Sequence, residues 1–170
     1  METSGSQEQE GVIKYNPNFT KKPLPLEVLS SLHELDHWRN DFYERGLIGN
    51  DPLRYGGYDY GNVSQRIDFW HGLFVITASQ TGKLETLEPD RHYSIVTGYN
   101  PKDNTLSAFG PKKASSEAGT HAGIYAEYPW VQAVLHAHHD GIWDATEQLG
   151  IPATRPDVEY GTSEMYREMK

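Results

Sequence analysis

At 170 residues, with 36% hydrophobic and 23% charged side chains, the chain has the size and composition of one globular domain able to bury a core. Fifteen basic against 24 acidic residues leave a net charge of −9, which argues against a nucleic-acid or anionic-membrane surface as main partner. Cysteine is absent, excluding disulfides, thiolate nucleophiles and zinc–sulfur sites, and no apolar run approaches the roughly 20 residues that span a bilayer.

Residues 1–11, METSGSQEQEG, are polar and acidic, lack the apolar stretch of a signal peptide, and read as a disordered lead-in to a single domain over 12–170. A cytoplasmic location is the matching expectation. YNPNFTKKPLP is turn-rich and ends on Pro25, which opens a helix predicted over 26–47. Its apolar stripe is Val28, Leu29, Leu32, Leu35, Trp38 and Phe42, with Gly46 and Gly49 closing it. After a glycine-rich connection, SQRIDF and GLFVITAS carry the β-branched and aromatic content of strands. HYSIVTGY and TLSAFG flank the turn residues NPKDN and predict a hairpin. SSEAGTHAGIYAEY is helical up to Pro129, WVQAVLHAHH is a strand with a buried apolar run, and DGIWDATEQLG is a short helix ending on Gly150. TSEMYREMK begins another helix. The order does not follow strict βαβ alternation, so the predicted fold is a layered α+β arrangement (αβα) with a mixed, mostly antiparallel central sheet.

Two histidine clusters compete for chemistry. HELDH, from His33 to His37, matches the H-E-x-x-H pattern in which two histidines one turn apart hold zinc. At about 100° per residue, however, both fall nearly opposite the apolar stripe and face water. HAHH is different. His136 and His138 sit two apart at the end of a strand, so they share one face, while His139 takes the other. Neutral imidazoles so spaced can chelate a divalent ion, most naturally zinc, or form a hydrogen-bonded structural pair. No glutamate follows at the distance a cupin would need. Trp130, Trp143, Tyr125 and Tyr128, close by in sequence, are expected to pack in the core.

Three loops accompany that pair. Ser115 or Ser116 can cap a helix, with Glu117 in its first turn; the same residues can hold a phosphate, with Glu117 as general base. YGNVS is a turn entering a strand and TASQTG a turn leaving one, and each can also cradle an anion.

In this order, G-N-V-S, a T-G turn after an apolar strand, S-S-E opening a helix and H-x-H ending a strand resemble the class II aldolase/adducin family, and YGTSEM looks like that family's G-T-x-E segment. The resemblance implies that His136 and His138 are two of three histidines holding a catalytic zinc or another divalent metal, and that Glu117 is the acid/base. It implies that Asn62, Thr81, Gly82, Ser115 and Ser116 bind the phosphate of a small substrate. The implied activity is that of a metal-dependent lyase (aldolase, epimerase or dehydratase) working through a metal-stabilised enediolate on a small phosphorylated sugar or keto compound. A homotetramer is the implied assembly. The family's third metal histidine lies beyond the G-T-x-E helix, so a C-terminal part of the domain is expected to be missing here. His71, His92, His121 and His139 are the candidate substitutes, and a non-catalytic, adducin-head-like binding or assembly domain is the alternative.

Overall fold

The computed structural model of the chain describes residues 12–68 and 73–169; the expectations for residues 1–11 and for His71 lie outside them. The first half runs β1 (Asn16–Lys21), α1 (Leu26–Ser31), α2 (His33–Glu44), β2 (Gly49–Asn50), β3 (Asp59–Tyr60), β4 (Asn62–Asp68) and β5 (Leu73–Thr77). The second half runs α3 (Pro89–His92), β6 (Tyr93–Asn100), β7 (Thr105–Gly110), α4 (Ala118–Glu127), β8 (Ala133–His136), α5 (Asp140–Asp144), α6 (Thr146–Leu149) and α7 (Ser163–Glu168).

Six strands form the central sheet in the order β1-β7-β6-β5-β4-β8. Only β1 against β7 is parallel; every other pairing is antiparallel. The fold is therefore the mixed, mostly antiparallel sheet with helical layers that the sequence predicts. Its central strands are apolar on both faces, and side-chain alternation sends their residues to two cores. Val63, Val75, Tyr93 and Ile95 point to a core closed by Leu24, Val28, Leu32 and Leu35 from the α1–α2 side. Phe74, Ile76, Val96 and Leu106 point the other way, to Ala114, Ala118 and Tyr125 around α4. Burying a side chain such as Leu32 or Phe74 contributes about 1.5–3 kcal/mol each. The predicted hairpin is present, as β6 and β7.

Several local expectations fail for identifiable reasons. The helix over 26–47 is two helices that meet at Leu32, where the Ser30 and Ser31 hydroxyls bond back to Leu26 O and Val28 O and loosen the turn. Its inward stripe contains Arg39, 1% exposed, whereas Trp38 is 46% exposed. By position this is required: Arg39 lies near the centre of the stripe through Val28, Leu32, Leu35 and Phe42, and Trp38 about 80° off it. The turn-rich segment before Pro25 forms β1, an edge strand where Pro17 is tolerated. Finally, WVQAVLHAHH yields only the four residues of β8, half-buried because β8 is the opposite edge of the sheet. Trp130 and Trp143 are likewise exposed, 72% and 80%, against the expectation of core packing. The end of α2 needs a glycine: Gly46 takes φ 69° while its N–H bonds to Tyr43 O and that of Leu47 to Phe42 O.

Candidate functional site

One cavity gathers all eight residues singled out from sequence: Asn62, Thr81, Gly82, Ser115, Ser116, Glu117, His136 and His138. They come from four segments of chain, brought together by the sheet. Asn62 and His136 are directly opposed across the β4–β8 ladder. The turn after β5 is tied to the run before α4 by bonds from Ser115 N to Thr77 O (3.1 Å) and from Ser79 N to Lys113 O (2.9 Å).

Arg39 shapes the 81–85 turn from behind. Its guanidinium donates to Thr81 O at 3.0 Å, Gly82 O at 3.4 Å and Glu85 O at 2.7 Å, and also to Leu84 O. A buried cation is costly unless its donors are used, and here backbone carbonyls take them. Thr81 Oγ1 closes the turn by donating to Ala78 O at 2.8 Å. Gly82 is required by space: a Cβ there would meet Gly49 O at 2.5 Å and Asp59 Cβ at 2.9 Å.

Glu117 differs from expectation. It is the N-cap residue of α4, whose first helical residue is Ala118, and its own N–H donates to Ser115 Oγ at 3.3 Å. Lining a cavity at low exposure, its carboxyl is pushed up to about 7, chiefly by burial, with Thr120 and the charge of Lys14 acting in the opposite direction. Burial likewise lowers His136 to about 4. His138 is lowered to about 4 by burial first, then by His136 and Arg54, against the pull of Asp140.

The two imidazoles lie with ring centroids 4.9 Å apart. The strand ends at His136, so His138 is not held by the ladder. Its N–H bonds to Leu47 O at 2.9 Å, and its ring packs edge-on against Tyr55 (4.7 Å) and beside Tyr60 (5.3 Å). Arg54, which donates to Tyr55 Oη at 2.9 Å and to Asp140 at 2.6 Å, braces that aromatic wall. Asn62 Nδ2 lies 3.0 Å from His136 Nδ1.

Of the substitutes for a third ligand, His92, His121 and His139 lie among the described residues, and each is bonded through Nδ1, while His121 Nε2 is buried without a hydrogen-bond partner. His92 Nδ1 accepts from Glu88 N at 2.9 Å, and His139 Nδ1 caps α5 by accepting from Ile142 N at 3.1 Å. His121, 1% exposed, shares a 2.7 Å hydrogen bond with Ser64 Oγ, which in turn meets Tyr125 Oη at 2.8 Å. Among the described residues no three His, Asp or Glu side chains are grouped to hold one ion. Two imidazoles lining one cavity, His136 and His138, are nevertheless donors of a kind that a divalent ion accepts.

Asp59, Tyr60, Gly61, Gln80 and Tyr160 also line the cavity and were not singled out from sequence. Tyr60 and Gly61 directly precede Asn62, and Tyr160 opens YGTSEM, so adjacency to the motifs was the available signal. Gln80 lies within TASQTG, next to Thr81, and Asp59 carried no such signal. No lysine or arginine lines the cavity among the described residues, so an anion there would meet hydroxyls and backbone N–H groups.

A three-layer αβα fold with a polar, histidine-bearing cavity at the end of an antiparallel edge strand defines the class of protein. The family model of the class II aldolase and adducin N-terminal domain matches residues 54–166, and the chain belongs to that family. Members generally use a divalent metal. No helix among the described residues is long and apolar enough to cross a membrane.

Proposed function

We propose that this cavity is the active site of a metal-dependent lyase-type enzyme (aldolase, epimerase or dehydratase) acting on a small phosphorylated sugar or keto compound. The observation that carries it is the meeting of Glu117, poised near neutrality, with His136 and His138 in one cavity walled by hydroxyls and tight turns. Thr81 and Gly82 on one side, and Ser115 and Ser116 at the start of α4 on the other, bind the substrate phosphate. Asn62 belongs to the same group. Glu117 takes the proton beside the substrate carbonyl; a base near pH 7 combines a useful ionised fraction with driving force for the transfer. His136 and His138 would hold the divalent ion, zinc by donor chemistry, which when bound supplies Lewis-acid stabilisation of negative charge developing on the substrate oxygen. A homotetramer in the cytoplasm belongs to the same proposal.

Deuterium exchange beside the carbonyl of dihydroxyacetone phosphate, with zinc, manganese or cobalt supplied, tests it. Exchange that falls about 10²–10⁴-fold in Glu117→Gln is the expected result. No exchange with any of the three ions overturns it.

A second proposal, a non-catalytic adducin-head-like binding or assembly domain, is favoured by the lack of a third grouped ligand among the described residues. Stoichiometric zinc binding together with proton exchange would eliminate it.

A further inference from the structure

Asn62 contributes more than a donor for an anion. Its Nδ2 lies 3.0 Å from His136 Nδ1, and the two residues are opposite partners in the β4–β8 ladder, so the backbone fixes their approach. An amide nitrogen only donates. In this arrangement Nδ1 of the neutral imidazole is therefore a bare acceptor and the ring proton sits on Nε2. The other half of the same amide, Asn62 Oδ1, is buried and has no hydrogen-bond partner. Asn62 is 5% exposed, so water does not compensate readily.

A side-chain amide has nearly the same shape when turned end for end. Turned over, Asn62 would present Oδ1 to Nδ1–H and leave Nε2 bare. That is the arrangement in which histidines that hold a metal are ordinarily supported, the far ring N–H donating to an oxygen. It would also release Nδ2 to donate to another group. The neighbouring inward residue of β4, Ser64, already has two partners in His121 and Tyr125. Asn62 is thus the inward β4 side chain with an unused hydrogen-bonding atom beside the cavity.

We infer that Asn62 is the positioning residue of His136: it sets the ring tautomer, keeping the proton on Nε2 in the metal-free protein, and it turns over when Nε2 takes an ion. The ion-dependent half rests on the function proposed above; the tautomer in the metal-free protein does not.

Nitrogen NMR of the histidine rings in the metal-free protein is the test. The wild type should show protonated Nε2 and bare Nδ1 at His136, with a coupling across the hydrogen bond from Asn62 Nδ2 to His136 Nδ1. Asn62→Asp, close in shape but only able to accept when ionised, should move the proton to Nδ1. Zinc added to the wild type should produce the same exchange of protonated and bare nitrogens, and Asn62→Leu should weaken zinc binding about 10–100-fold. A wild-type ring already protonated on Nδ1, or the same tautomer in wild type and Asn62→Asp, overturns the inference. If zinc does not bind while both metal-free tautomers are as expected, the positioning role stands, and the turnover on binding and the metal-dependent function both fall.

Discussion

His33 and His37 lie four residues apart on α2 and are both exposed; His136 and His138 lie two apart where β8 ends and are held inside a cavity. The first pair has the better-known spacing and the second has the chemistry. What separates them is the surface each element turns inward. Helix α2 commits its inner stripe to Leu35 and Arg39, leaving its histidines to water. The edge strand β8 turns His136 onto Asn62 of β4, and the chain beyond it places His138 against Tyr55 and Tyr60. Spacing makes a chelate possible; burial beside other polar groups makes it useful.

That contrast can be broken at several strengths. The largest effect is expected at Glu117. Glu117→Gln should cost about 10²–10⁴-fold in substrate proton exchange while making the metal-free protein more stable at pH 8. The sign follows from its raised carboxyl. Folding favours the neutral form, so the stability Glu117 contributes is complete below about 4.5 and is lost as pH rises through about 7. Denaturant melts at pH 5 and 8 check it, and a variant less stable than wild type at pH 8 would refute the assignment.

Next is Arg39, which serves the cavity without lining it. Arg39→Ala strands several buried carbonyls of the 81–85 turn and should cost about 3–5 kcal/mol. Arg39→Lys, lacking the planar fork, should recover only part of that. Urea midpoints decide this; a loss below about 1 kcal/mol would mean the turn holds itself.

The histidines give a smaller effect of opposite sign to Glu117. His121, His136 and His138 are lowered to about 3, 4 and 4, chiefly by burial, so the unfolded chain takes up protons first as pH falls. Metal-free stability should be complete above about 6.5 and decline from there toward pH 4, by on the order of 1–3 kcal/mol per imidazole. In His121→Gln the decline over this window should be shallower, and an unchanged slope would discount the burial of that ring. Smallest of all, His33→Ala and His37→Ala should change stability by no more than about 0.5 kcal/mol and leave zinc binding unaltered. Elemental analysis beside His136→Ala makes that comparison direct.

Much of this was legible in order along the chain. The β-branched and aromatic run of β5, the turn before β7 and the glycine after α2 pointed to the layers and the hairpin, since each is a local matter of side-chain type and backbone freedom. The eight cavity residues were also legible, because they fall in short motifs whose sequence order could be matched. The failures share one cause. A stripe read from apolar residues does not contain Arg39, although its position lies near the stripe's centre; only the carbonyls of a turn some forty residues away make a buried guanidinium tolerable. The strand β1 has no signal of its own and exists because β7 offers it a parallel edge. Asn62 was assigned to phosphate on its motif, and its bond to His136 arises from cross-strand register.

By itself, then, the sequence determined which residue types were available and in what order: a strand-rich centre, helix ends, and a glutamate and two histidines in motifs of one family. The tertiary structure decided which of them meet, which histidine pair leaves water, and how far the Glu117 carboxyl departs from an ordinary one. The reason is range. Periodicity and capping act over a few residues of chain, whereas desolvation and hydrogen-bond partnership depend on neighbours that only the packed sheet brings within reach.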